Sequence, residues 1–129
     1  MKSARCASAV LVVGLLALAA PVLAHHSRPV FYDMEKKIKI TGVVTDVKIV
    51  NPHSTFYFEV TEPDGQKTKW VGTTASGAAL VRAGWSKDTI KGGTVVTFEG
   101  NPPRDPTAKG LLIDSFTMPD GKKITVQND

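Results

Sequence analysis

The chain has 129 residues, 42% hydrophobic and 22% charged, with a formal net charge of +4. That length supports one domain with a modest core and excludes a multidomain assembly, and a single cysteine excludes a disulfide framework. Two of the sixteen basic side chains, Lys2 and Arg5, stand in the first five residues, and the other lysines are scattered, so the charge makes no case for nucleic acid.

The first 24 residues read as an export signal. Lys2 and Arg5 form a positive start, Ala7 to Ala20 is apolar but short for a membrane span, and Val22-Leu23-Ala24 fits a small-residue cleavage site. No twin-arginine pair precedes the run, which points to the general secretory route. Cleavage after Ala24 is expected, leaving no stable membrane span and a periplasmic or secreted protein. Cys6 leaves with residues 1–24, so the mature chain has no thiol for a metal. Without disulfides, burial alone must hold the fold.

Residues 25–36 read as a polar lead-in containing Pro29, and residues 37–129 as one domain. "KIKITGVVTDVKIV" (37–50) is rich in β-branched residues and its alternation slips once. Ile38 and Ile40 share one parity, Val43, Val47 and Ile49 the other, and Gly42 at the slip predicts a bulge there. "STFYFEV" (54–60) alternates cleanly, with Phe56, Phe58 and Val60 on one face and Thr55, Tyr57 and Glu59 on the other. Pro63-Asp64-Gly65 predicts a tight turn, and "KTKWVG" (67–72) returns as a third strand. "ASGAALVRAGW" (75–85) changes to a helical period, with Gly84 as its stop. "TVVTFEG" (94–100) follows the Gly92-Gly93 turn as a fourth strand. "NPPRDPTAKG" (101–110) predicts a long loop, "LLIDSFTM" (111–118) a fifth strand, and "KITV" (123–126) a short sixth after the turn 119–122. This order predicts an all-β fold with small helical content: a five- to six-stranded OB-fold-like Greek-key barrel with one short helix between strands 3 and 4. An open β-sandwich of the same elements is the alternative. Trp70 and Trp85 are expected to pack the core or cap the barrel.

Three histidines carry the sharpest chemical signal. Cleavage after Ala24 would give His25 a free α-amine, which can chelate one metal ion together with its own ring Nδ1. His53, in "NPHS" (51–54), would add a second imidazole from the first inter-strand loop, and His26 could compete or cooperate. Nitrogen ligands of this kind favour Cu(II), Ni(II) or Zn(II) over magnesium or calcium. The bland reading is a soluble lead and a loop histidine that bonds a turn. Tyr57, pointing opposite to Phe56 and Phe58, is a candidate for an exposed stacking face, against the ordinary role of a cross-strand partner. Arg104, with Asp105 and Lys109, stands in the loop expected to edge that face. No catalytic triad, phosphate loop or carboxylate pair stands out, so no enzyme is expected. A copper-dependent redox enzyme is the outlying option.

The segments "LAHHS" (23–27), "TGVVTDVKIVNPHSTFYFEV" (41–60), "LVRAGW" (80–85), "GGTVVTFEG" (92–100) and "MPDGKK" (118–123) resemble a family of small exported bacterial proteins classed only as a domain of unknown function. Its most specific marks are the HHS after the signal and the NPH triplet. The resemblance implies a single exported barrel-like domain and brings no catalytic residue. Arg28-Pro29 stands where that family often carries an aromatic. Two functions follow as expectations. One is a periplasmic Cu(II)-type binding module using His25, His26 and His53. The other is a metal-free OB-type module that binds an envelope protein, peptide or glycan through Tyr57 and Arg104.

Overall fold

The computed structural model describes residues 28–128. The chain divides into two compact units, residues 1–31 and Tyr32–Asp129. The described part of the first is a single helical turn, α1 (Arg28–Phe31). The second is a β-barrel built from β1 (Ile38–Lys48), β2 (Ser54–Thr61), β3 (Lys67–Thr74), α2 (Gly77–Arg82), β4 (Val95–Asn101), β5 (Gly110–Thr117) and β6 (Lys123–Thr125).

β1 is the hub of the sheet. It pairs antiparallel with β2 along its second half and with β4 along its first half. β3 pairs antiparallel with β2 and parallel with β5 through Val71–Gly110, Gly72–Leu111 and Thr73–Leu112. With β4 against β5, the ring closes in the order β1-β2-β3-β5-β4-β1. This is the OB-like barrel, with its helix between the third and fourth strands. β6 extends the sheet beyond the point where β3 leaves β5, pairing at Ser115–Thr125, Phe116–Ile124 and Thr117–Lys123.

The slip in β1 lies elsewhere than the sequence predicted. Ile38, Ile40, Gly42 and Val44 all face inward, Val44 fully buried and Val43 38% exposed. The register against β2 shifts between Val44 and Asp46, and Val47 and Ile49 then resume the inward face. The Asp46 side chain accepts the Val47 N–H at 2.9 Å, which holds this bulge. Gly42 has a different reason. A Cβ there would stand 2.6 Å from Phe58 Cδ2, so the glycine lets the phenylalanine lie across β1.

The core is aromatic at its centre. Phe56 meets Trp85, Phe98 and Phe116 at centroid distances of 5.4, 5.7 and 5.5 Å. Phe58 stacks on Phe98 at 4.4 Å. Each such pair contributes about 0.5–1.5 kcal/mol beyond the area it buries. Trp85 is buried as expected, and Trp70, half-buried, also packs against the core, stacked on Phe58 at 6.3 Å.

α2 brings Leu80 into this core, and its ends explain its length. The Ser76 hydroxyl accepts the Ala79 N–H at 3.2 Å. At the other end Trp85 N–H donates to Leu80 O and Gly84 N–H to Val81 O, with Gly84 at φ 100°. This is the paired bonding of a left-handed glycine stop. It also turns the chain so that Trp85 drops beside Phe56.

The lead-in is more structured than a polar tail. Tyr32 bridges Pro103, and Asp33 N–H donates to Pro102 O at 2.9 Å. Fully buried Asn101 donates from Nδ2 to Asp33 O at 3.1 Å and Lys36 O at 2.8 Å. Its Oδ1 accepts from Lys37 Nζ at 2.8 Å, and that ammonium also pairs with Asp114.

Candidate functional site

The first loop, 49–53, is held by backbone bonds at the far end of β1. Gly77 N–H donates to Val50 O at 3.0 Å, Ser54 N–H to Ala75 O at 3.0 Å, and Ser54 Oγ to Val50 O at 3.2 Å. Asn51 Oδ1 accepts from Ala78 N–H at 3.4 Å, and the Asn51–Pro52 peptide is cis. This frame presents His53 exposed to solvent, with no hydrogen bond or ion pair to its ring among the described residues. His25 and His26, like residues 1–24 where an export signal is expected, lie outside the described residues. No group of three or more His, Cys, Asp or Glu side chains able to hold a metal occurs among the described residues.

The chain is anchored at Tyr32 and Asp33, ahead of β1, and His53 follows the opposite end of that strand.

A second arrangement lies on the outer wall of β1, β2 and β3. The alternation that buries Phe56 and Phe58 turns Tyr57 and Glu59 outward. Across the ladders, Tyr57 stands opposite Asp46 on β1 and Val71 on β3, and Glu59 opposite Val43 and Lys69. These rows form a groove of about 460 Å³ lined by Thr45, Asp46, Tyr57, Glu59, Lys69 and Val71, with Trp70 beside them. Tyr57 is half-buried and Val71 42% exposed. Lys48 Nζ lies 5.3 Å from the Tyr57 ring centroid, a cation–π contact. Glu59 faces Lys67 at 3.9 Å.

The loop 102–109 reaches this wall through Lys109 rather than Arg104. Val71 N–H donates to Lys109 O at 3.1 Å, and Lys109 Nζ sits 5.5 Å from the Trp70 ring centroid and 3.9 Å from Glu62. Arg104 instead adds its charge to the surroundings of Asp33. The Asp33 carboxyl is held below its ordinary value chiefly by a hydrogen bond from Lys36, with Arg104 a minor contributor. Asp105 is likewise lowered, by hydrogen bonds from the Thr107 hydroxyl and N–H, which pin the loop's turn.

Sequence reasoning located Tyr57 on the outer face but missed Asp46, Lys69 and Val71 as its neighbours. The pairing register was the missing information, because all three join Tyr57 only across ladders. A second groove of about 470 Å³ opens between the end of β1 and the 85–92 segment. Its one aromatic, Trp85, is 6% exposed and offers no platform.

Comparison with known sequences gives one finding. A family model described as a family of unknown function, DUF6152, matches residues 11–115, well over half of the chain. No curated protein matches.

Proposed function

The chain belongs to DUF6152, and since membership brings no activity with it, we propose from the chain's own residues that it is an exported OB-type module that binds an envelope protein, peptide or glycan. The supporting observation is the outer groove around Tyr57, where a half-buried aromatic ring sits among carboxylate, ammonium and hydroxyl side chains. Binding sites of this size, about 300–1,000 Å³, pair an apolar floor with a few placed polar groups. The 102–109 loop stands at the edge of this groove through Lys109, beside the Trp70 ring. The test is capture of envelope components on the immobilised chain. Tyr57→Ala should cut the retained material about tenfold, the scale of a lost stacking contact, and His53→Ala should leave it unchanged. Equal retention by wild type and Tyr57→Ala would remove this reading.

A second reading rests on a separate observation, the exposed ring of His53 on its pinned loop, which has no hydrogen-bond partner among the described residues. It is a Cu(II)-type module in which the His25 amine and ring, His53 and His26 supply nitrogen. It requires export with cleavage after Ala24, which N-terminal sequencing of the secreted protein checks directly. Copper titration followed by electron paramagnetic resonance should show superhyperfine lines from several nitrogens, reduced in His53→Ala. An unchanged spectrum in that variant would leave chelation by the leading residues alone.

A further inference from the structure

Three features of the groove beside Tyr57 narrow the kind of ligand it fits. The first is its floor. β2 is hydrogen-bonded on both edges, to β1 and to β3, across Phe56 to Glu59. Its main-chain donors and acceptors are therefore already used. An extended peptide that adds to a sheet needs free main-chain partners, and this floor has none to give. The edge of β3 before Val71 is unpaired by β5, but it carries Lys67 and Lys69, and lysines guard an edge against strand addition.

The second feature is charge. The charged side chains lining the groove are Asp46, Glu59 and Lys69, with Lys48 over the Tyr57 ring and Lys67 on Glu59 beside it, so the two signs are interspersed and the lining itself has no excess of cations. A phosphate-bearing strand gains its affinity from an excess of Lys and Arg, which is lacking here. The third is the mixture of groups around one ring. The Thr45 hydroxyl both donates and accepts, the carboxylates accept, and the ammonium groups donate. The sheet spaces them about 4.8 Å apart across strands and about 6.7 Å apart along one strand. A polyhydroxylated ring fits this set. Its C–H face lies on Tyr57 and Val71, and its hydroxyls meet donors and acceptors around the rim. Lys48, exposed with its ammonium 5.3 Å from the Tyr57 ring centroid, can donate to a hydroxyl of a sugar seated there.

We infer that this groove is a subsite for a neutral oligosaccharide. The inference rests on the reading of this wall as the binding face and names the ligand class for it. The test uses the full chain, isotope-labelled, titrated with neutral hexasaccharides of glucose, xylose and N-acetylglucosamine, with an acidic hexauronate and a set of random peptides as comparisons. The expected result is saturable shifts of the Tyr57, Glu59 and Val71 amides and of the Trp70 indole N–H with a neutral sugar. Tyr57→Ala should weaken that binding about tenfold or more, and Tyr57→Phe should keep it within a few-fold. The unchanged Trp85 indole signal in both variants reports that the fold is intact. Shifts at these same residues with peptides or only with the hexauronate overturn the neutral-sugar inference and leave the binding face standing. No shift at this wall with any probe, while envelope capture still depends on Tyr57, overturns the sugar inference alone. Absence of both removes the two readings together.

Discussion

Glu99 and Asp33 show how single surface groups tune this barrel. Lys123 donates to Glu99 at 3.3 Å, Lys39 stands at 3.6 Å, and together they hold the Glu99 carboxyl below its ordinary value of 4.5. Asp33 is held below 3.8, first by Lys36. A carboxyl lowered in the folded state favours folding at pH above its unfolded value, and that favour is lost as pH falls through the lowered value. Stability should therefore be flat from pH 7 to about 5 and fall below about pH 4. Both carboxylates are half-buried at the surface and pair with exposed lysines, so each effect is small. Urea midpoints at pH 7 and pH 3 should draw closer together in Glu99→Gln than in wild type. The same scale sets what could be read of the candidate site. The outward direction of Tyr57 follows from a period of two. What surrounds its ring does not, because Asp46 and Val71 come from other strands.

Among the elements, β1 separates what local pattern encodes from what packing decides. Val43 and Val44 are chemically identical neighbours, so alternation permits a slip on either side of them. The observed register buries Val44 and exposes Val43, because Val44 must fill the space beneath β2 while the strand bulges only at Thr45. Val44→Ala should cost about 2–3 kcal/mol, and Val43→Ala within about 0.5 kcal/mol. Urea denaturation of the two variants measures both, and the reverse order would favour a slip at Gly42. The β3–β5 contact shows the same limit. Three parallel pairs between strands 36 or more positions apart close the barrel, and nothing in either segment alone announces the partner. α2 is the opposite case. Ser76 and Gly84 mark its ends in the sequence, and both caps form as their chemistry requires.

At the scale of the whole barrel, Asn101 ties the lead-in to the fold. It is fully buried yet every polar atom of its amide is used, binding Asp33 O, Lys36 O and Lys37 Nζ. Buried polar groups left without partners cost about 1–3 kcal/mol. Asn101→Ala should lower stability by about that amount and speed hydrogen exchange of the Asp33 amide, which donates to Pro102 O. Slow exchange at Asp33 in the variant would mean the lead-in is held by the Tyr32–Pro103 bridge instead.

The strands, turns and helix of this protein were written locally, in periods of two and 3.6 and in turn residues such as Pro63-Asp64-Gly65, because those signals act over a few neighbours. The position of the β1 bulge, the parallel seam that closes the ring, the buried role of Asn101 and the company kept by Tyr57 were decided only in three dimensions. Each depends on which distant residue arrives alongside, and that is settled by the competition of whole strands for one core.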